Sequence, residues 1–309
     1  MWLWIALASL LAGYTCIRLP GKLTLTLVWL LPLFSVLAGY ITVKDKTPAS
    51  RMLILILLLF LGMKAVSTAY RYQGKGRLNL VQWLAFALGW PGMDPLPFEH
   101  LGKGVKVKAD RKYLSQGLIS LIAGFVLLFL TAVLLPHVKG YTYPLYLFSF
   151  IPFVLIFHMG IGNLGVIAWA YLGVKVEPVM LAPWKSETLG AFWGKRWNIP
   201  FIQMTRIALF VPLARRKKTT PALIISFAIS GIFHEVALAL PVGGGYGRPF
   251  LYFILQAALV LIERQYLLHW QPAYKRLWLF LCLLVPFPLL LPPPFLNQII
   301  APFLNQWIV

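Results

Sequence analysis

The sequence predicts an all-α polytopic membrane protein, with about eight transmembrane helices and two further interfacial or re-entrant segments. Of its 309 residues, 60% are hydrophobic and only 12% are charged. Soluble domains carry about 25% charged residues, so a soluble protein of this composition could not cover its surface. Apolar runs long enough to cross ~30 Å of hydrocarbon recur along the whole chain. We therefore expect a single membrane-embedded domain over residues 1–309.

Eight apolar segments are long enough to span the bilayer. They are residues 2–18, 23–43, 52–70, 117–136, 144–172, 221–241, 250–268 and 277–300. The first lacks the basic start of a signal peptide, so we interpret it as a span and not as a cleaved leader. The fifth is too long for one straight crossing, and Pro152 with the nearby glycines Gly160, Gly162 and Gly165 allows a bend or break.

Two long polar intervals, residues 71–116 and 173–220, each contain an apolar piece too short to cross. These pieces are Leu80–Trp90 and Phe201–Leu213. A helix of such length reaches only ~20 Å. Both pieces are therefore predicted to lie in the interface, or to dip into the membrane where protein or a watery cavity surrounds the backbone.

The distribution of basic residues predicts the topology. The net charge is +20, from 28 Lys and Arg against 8 Asp and Glu. These cations lie mainly in loops between apolar runs, which favours anionic lipid headgroups as partners over nucleic acid. Eight crossings would place 21 Lys and Arg on one side and 5 on the other. We expect the basic side to be cytoplasmic and both termini to lie outside, in a plasma, inner or endoplasmic reticulum membrane.

His234 is the strongest candidate for chemistry, because polar side chains inside a span are costly. It lies in the sequence SGIFHE at Ser230–Glu235. Burial would hold the imidazole neutral, as a general base requires. The alternative is a hydrogen-bonded pair that locks helices together. Adjacent helix positions point about 100° apart, so Glu235 is expected to anchor another helix and not to form a dyad with His234. His158 is a secondary candidate.

A second candidate segment, Glu187–Asn198, is rich in aromatic and basic residues. Such a segment is typical of a helix at headgroup level. Alternatively it forms a cytoplasmic mouth for an anionic cofactor, where Lys195 and Arg196 meet phosphates and Asn198 holds a carbonyl or hydroxyl group. The candidate binding residues are Trp193, Lys195, Arg196, Trp197, Glu235 and His158.

Missing motifs exclude several enzyme classes. The three aspartates, Asp45, Asp94 and Asp110, all lie outside the spans, so the paired aspartates of a Mg²⁺-dependent prenyltransferase are absent. The sequence has no GxSxG or HExxH motif. Cys16 and Cys282 are far apart and no CxxC occurs, so neither a metal site nor a disulfide framework is predicted. Few intramembrane carboxylates are available for a proton-coupled pump.

Two ordered motifs resemble those of a known family. The sequence FWGKRWN at Phe192–Asn198, followed by SGIFHE, resembles the wax synthase branch of the membrane-bound O-acyltransferases, which typically shows FWGRRWN and then SGxxHE. Lys195 replaces the usual arginine, which keeps the charge but loses the bidentate fork. Trp90–Met93 and His158–Met180 also look like the bacterial members of this branch, and the likeness covers roughly residues 80–270.

The resemblance implies an acyl-CoA-dependent transfer to the hydroxyl of a lipophilic alcohol, with acyl-CoA as co-substrate and no permanently bound cofactor. The essential histidine of the family corresponds to His234, and its second essential polar position to Asn198. Acyl-CoA would approach from the cytoplasm beside Lys185, Lys195, Arg196 and the Arg215–Lys218 block. The rival hypothesis is a lipid flippase or transporter, which the overlong span and the dipping segments also suit. A scaffold would leave His234 unexplained.

Overall fold

The computed structural model describes residues 1–138, 140, 142–214, 218–267 and 269–306. Regular structure in these residues is entirely helical, which confirms the predicted fold class. The helices are α1 (Trp2–Cys16), α2 (Lys22–Thr42), α3 (Pro48–Tyr72), α4 (Leu80–Gly89), α5 (Arg111–His137), α6 (Thr142–Tyr171), α7 (Ile199–Leu213), α8 (Thr219–Ala239), α9 (Arg248–Leu267) and α10 (Pro272–Leu290). Shorter helical segments follow from Pro293 to Asn305.

Seven helices in the described part of the chain are long and apolar enough to cross a membrane, one fewer than predicted. The difference lies in the first predicted span, which is the 15-residue helix α1. Fifteen helical residues rise about 22 Å, short of the ~30 Å hydrocarbon core. The last predicted span, 277–300, also ends early, because α10 stops at Leu290 before three consecutive prolines that cannot continue its hydrogen bonding.

The two short apolar pieces form helices, as predicted. The first is α4, ten residues long and opened by a capping box between Asn79 and Gln82. The second is α7, which begins two residues before the predicted Phe201 because Asn198 caps it and Pro200 lies in its first turn. Proline is favoured there, since its missing N–H would have no partner in any case.

The overlong span remains a helix but changes its hydrogen-bonding pattern. A turn at Ser149 and a π-helical stretch, Val154–Ile161, flank Pro152 in α6. Glycines let α5 approach closely, since a Cβ on Gly160 would lie 2.5 Å from Leu121 and one on Gly124 would lie 2.6 Å from Ile156. Close packing by small residues therefore explains the glycines.

Helix α3 forms the centre of the molecule. It packs against α1 and α2. In the most apolar stretch of α3, 67% of the residues are buried inside the protein, against 17% in that of α10. On the other side of the fold, α8 pairs along its length with α9. Helix α7 contacts both α3 and α8, and Trp193 in the segment before it lies against Phe227 of α8, with ring centres 6.0 Å apart. The two candidate motifs therefore meet beside α8.

Candidate active site

The side chain of His234 is held in one tautomer. Its Nδ1 lies 2.7 Å from the carbonyl oxygen of Ser230, one helical turn earlier on α8. A carbonyl oxygen can only accept, so Nδ1 carries the proton and Nε2 keeps a free lone pair. The ring centre lies 4.3 Å from that of Phe253 on α9, which fixes the orientation of the imidazole. This is the arrangement that a general base requires.

Glu235 joins α8 to α9. Its Oε1 accepts a hydrogen bond of 2.9 Å from the backbone N–H of Phe250, in the first turn of α9, where amides have no partner within the helix. The expected anchoring role is therefore confirmed. The same contact corrects the inclusion of Glu235 among the substrate-binding candidates, because its carboxylate bonds to the protein and the side chain does not line the cavity described below.

The segment that carries the FWGKRWN motif is held by a buried carboxylate. Glu263 of α9 is 2% exposed, and its two oxygens accept from the backbone N–H groups of Leu189 (2.6 Å) and Gly190 (2.8 Å). Thr188 caps the same short helix through the N–H of Ala191. Charge-assisted bonds of this kind are stronger than neutral ones, so the motif is fixed at its start.

Two aromatic residues of the motif are fixed by different contacts. The indole Nε1 of Trp193 donates to Oε1 of Gln256 (3.0 Å). Gln256 is completely buried, and its amide nitrogen donates to the carbonyl oxygen of Cys282 on α10 (2.7 Å). Trp197 stacks on Phe192 with ring centres 5.1 Å apart. Both indoles therefore have one defined orientation.

Asn198 lies at the point where this segment becomes α7. Its backbone is left-handed, with φ of 50°, a conformation that asparagine tolerates better than most residues. Its Oδ1 accepts from the N–H of Phe201 (3.3 Å) and caps α7. The Nδ2 group makes no hydrogen bond to any residue that the structure describes, so two N–H donors are available to a ligand.

Asn198 and His234 line one cavity of about 450 Å³. Among the predicted binding residues, Trp193, Lys195 and Trp197 line it too. The remaining wall is largely apolar and aromatic, with serines on α8. These residues include Phe201, Ile202, Phe210, Leu223, Phe227, Phe253, Val260, Ser226 and Ser230. A mainly apolar pocket with a few convergent polar groups is typical of a small-molecule site.

Three cations converge on this cavity: Lys195, Arg206 of α7 and Arg264 of α9. All three side chains are exposed. None has an ion-pair partner within the described residues, and no carboxylate there lines the cavity. The site is therefore electropositive and suits an anionic ligand. Sequence reasoning missed Arg206 and Arg264 as site residues.

Besides Glu235, two further predicted site residues lie outside the cavity. Arg196 does not line the cavity; its Nη1 donates to the carbonyl oxygens of Leu181 (3.0 Å) and Ala182 (3.4 Å) and holds a neighbouring loop. His158 is exposed on α6 and does not line the cavity either. Among the basic residues predicted to lie beside the acyl-CoA entry path, Arg215–Lys217 are outside the described residues.

The residues described contain no cluster of three or more His, Cys, Asp or Glu side chains that could hold a metal ion. A second cavity, of about 680 Å³, lies on the other side of α7 and shares only Arg206 with the first. Its wall carries charges of both signs, with the cations Arg71, Lys175 and Arg206 and the carboxylates Asp94 and Glu177. The histidine and the asparagine are therefore separated from it by α7.

Comparison with known families supports the importance of this region. Residues 176–255 match the model of the Membrane bound O-acyl transferase family. The matched range contains the segment fixed by Glu263, the cap residue Asn198, helices α7 and α8, and His234.

Three plant proteins are similar to part of the chain. A long-chain-alcohol O-fatty-acyltransferase of Simmondsia chinensis is 32% identical over 79 residues, which are 23% of this chain and 22% of the relative. A probable long-chain-alcohol O-fatty-acyltransferase 1 of Arabidopsis thaliana is 28% identical over 102 residues, or 30% and 28% of the two chains. Diacylglycerol O-acyltransferase 1 of the same plant is 32% identical over 80 residues, or 26% and 15%. The matched part thus covers less than a third of each relative.

Proposed function

We propose that this chain, which belongs to the wax synthase-like branch of the membrane-bound O-acyltransferase superfamily, transfers an acyl group from acyl-CoA to the hydroxyl of a lipophilic alcohol. One observation carries the proposal. Asn198 and His234 line the same cavity, one offering free N–H donors and the other a free imidazole lone pair. Two of the similar plant proteins are named as a long-chain-alcohol O-fatty-acyltransferase and a probable one, which supports an alcohol acceptor.

In the proposed reaction, His234 is the general base. Its Nε2 removes the proton from the acceptor hydroxyl as the oxygen attacks the thioester carbonyl carbon. The new C–O bond forms while the carbonyl electron pair moves onto its oxygen, and the Nδ2 group of Asn198 donates to that oxyanion. Collapse of the intermediate breaks the C–S bond. The leaving thiolate takes the proton from Nε2, which restores the neutral imidazole and releases CoA.

The cavity suits both substrates of this reaction. Its aromatic and aliphatic wall would hold an acyl chain, since burial of apolar surface contributes about 0.8 kcal/mol for each methylene group. Lys195, Arg206 and Arg264 would bind the phosphates of CoA, because arginine in particular matches phosphate geometry. A direct transfer needs no covalent acyl-enzyme, so the reaction makes no demand on the two cysteines, which are both buried.

The proposal is tested with purified protein, hexadecanoyl-CoA carrying a radiolabelled acyl chain, and a series of lipophilic alcohols. We expect labelled ester from the wild type, and turnover lowered by about 10²- to 10⁴-fold in His234→Ala, the range typical of a lost general base. His158→Ala is the matched control and should keep full activity, because its side chain does not line the cavity. Normal turnover by His234→Ala would contradict the proposal. So would lipid translocation without ester formation, which would favour a flippase.

A further inference from the structure

Lys64 is a buried cation that the proposed reaction does not use. It lies near the middle of α3 and is completely inaccessible. Its Nζ donates to the carbonyl oxygens of Trp90 (2.7 Å), Phe86 (2.8 Å) and Gly92. It also lies 3.7 Å from the centre of the Phe86 ring. Three carbonyl oxygens use all three donors of a lysine ammonium group, so the charge is fully satisfied inside the protein.

The carbonyl groups bound by Lys64 belong to the end of α4 and to the loop that follows it. A cation at a helix C-terminus stabilises the unpaired carbonyls there. The loop, Trp90–Met93, has the sequence WPGM, and its residues do not line the first cavity. Ser67, one turn after Lys64 on α3, donates to the carbonyl oxygen of Met93. Lys64 and Ser67 together therefore fix this loop against the central helix.

The loop in turn contacts α7, the helix that Asn198 caps. The N–H of Met93 donates to Oε1 of Gln203 (2.8 Å), and the Nε2 of Gln203 donates to Glu177 (3.1 Å). Gln203 lies on α7, five residues after Asn198, and faces away from the first cavity. A continuous chain of contacts thus runs from Lys64 through the loop to the helix that Asn198 caps.

We propose that Lys64 is a positioning residue for the acyltransfer site, and that it acts through Trp90–Met93 and Gln203 to hold Asn198 opposite His234. The inference rests on the proposed function for its catalytic consequence. The positioning of α7 by Lys64 is inferred from these contacts alone. A misplacement of about 1 Å at a reacting group can lower a rate about 10²-fold, even when the change is remote from the chemistry.

Two variants interrupt the chain of contacts at different points. Lys64→Met removes the ammonium group but keeps a long side chain, and Gln203→Leu removes only the link between the loop and α7. We expect each to lower kcat for ester formation by about 10-fold to 10²-fold, with the KM for acyl-CoA changed less than about twofold. The double variant should be no slower than the slower single variant, because members of one chain of contacts are not additive.

Gln82→Leu is the matched control. Gln82 is a buried amide at the other end of α4. Its Nε2 donates to the carbonyl oxygens of Glu99 (3.2 Å) and Leu101 (3.0 Å), and it makes no hydrogen bond to α7 among the described residues. We expect its kcat to stay at the wild-type value even if its Tm falls. An equal loss of kcat in Gln82→Leu would overturn the proposal, because general destabilisation would then account for the effect.

Hydrogen exchange provides a readout that does not depend on catalysis. In Lys64→Met and in Gln203→Leu, the amides of residues 199–206 should exchange faster, while those of residues 225–235 on α8 stay protected. Gln203→Leu keeps the experiment decisive if Lys64→Met does not fold. Unchanged exchange at 199–206 would overturn the positioning role. If exchange at 199–206 is faster in Lys64→Met and Gln203→Leu but Asn198→Ala turns over normally, the positioning role is supported. The proposed function is then contradicted.

Discussion

Replacement of Glu263 by glutamine tests how the motif segment is held. The carboxylate accepts from two backbone N–H groups, those of Leu189 and Gly190, and it is 2% exposed. Glutamine keeps one carbonyl oxygen but presents an NH₂ group to the other amide. One hydrogen bond is lost and one buried N–H is left without a partner, which costs about 1–3 kcal/mol.

The lost hydrogen bond lowers the free energy needed to open residues 189–198 from the rest of the protein. Each 1.4 kcal/mol changes an equilibrium tenfold, so the open population should rise roughly 5-fold to 150-fold. The assay is amide exchange at Leu189 and Gly190 by mass spectrometry, with ester formation measured on the same samples. Exchange should accelerate within that range, and kcat/KM should fall because Trp193 and Asn198 lie on the opened segment.

Asp110→Asn is the control for this substitution. Asp110 also accepts a backbone N–H, that of Lys112 at the start of α5, but its side chain is 49% exposed. Asparagine caps helices as well as aspartate does, so exchange and activity should not change. Wild-type exchange at residues 189 and 190 in Glu263→Gln would refute the idea that this carboxylate holds the motif in place.

Three further predictions follow from the site. Asn198→Asp keeps the helix cap but removes the N–H donors, so kcat should fall about 10²- to 10³-fold with little change in Tm; equal turnover would exclude an oxyanion role. Neutralising Lys195, Arg206 and Arg264 should raise the KM for acyl-CoA, most strongly at low salt, whereas Arg196→Gln should not produce that salt dependence. Cysteines placed within residues 103–112 should react with an impermeant thiol reagent only after the cells are opened; labelling of intact cells would reverse the predicted orientation.

Much of this fold follows from hydropathy, because a long apolar run in lipid must satisfy its backbone hydrogen bonds as a helix. Helices α3 and α8 are accordingly close to their predicted bounds. The first predicted span was wrong in length, because hydropathy alone does not show where helical hydrogen bonding stops. The span was predicted over residues 2–18, whereas α1 ends at Cys16 and is followed by a turn at Ile17 and Arg18.

Some residues of the candidate site could likewise be predicted from the sequence, whereas others could not. His234 and Asn198 could be identified because each is a polar residue of a type and position that packing alone does not explain. The roles of Arg196 and Arg264 could not be predicted. Arg196 lies in a polar segment and Arg264 near the end of a predicted span, and only the tertiary structure directs one toward a loop and the other toward the cavity. Glu263 carried a usable signal, since a carboxylate inside a span requires a partner, but its partner lies 73 residues or more away in sequence.

The most direct test of the account is a cryo-EM structure with a non-hydrolysable thioether analogue of acyl-CoA. We expect the methylene carbon that replaces the thioester carbonyl to lie in the first cavity, close to both Nε2 of His234 and Nδ2 of Asn198, with the phosphates beside Lys195, Arg206 and Arg264. An analogue bound only in the second cavity, across α7 from His234, would contradict the central claim that these two residues act on one reacting centre.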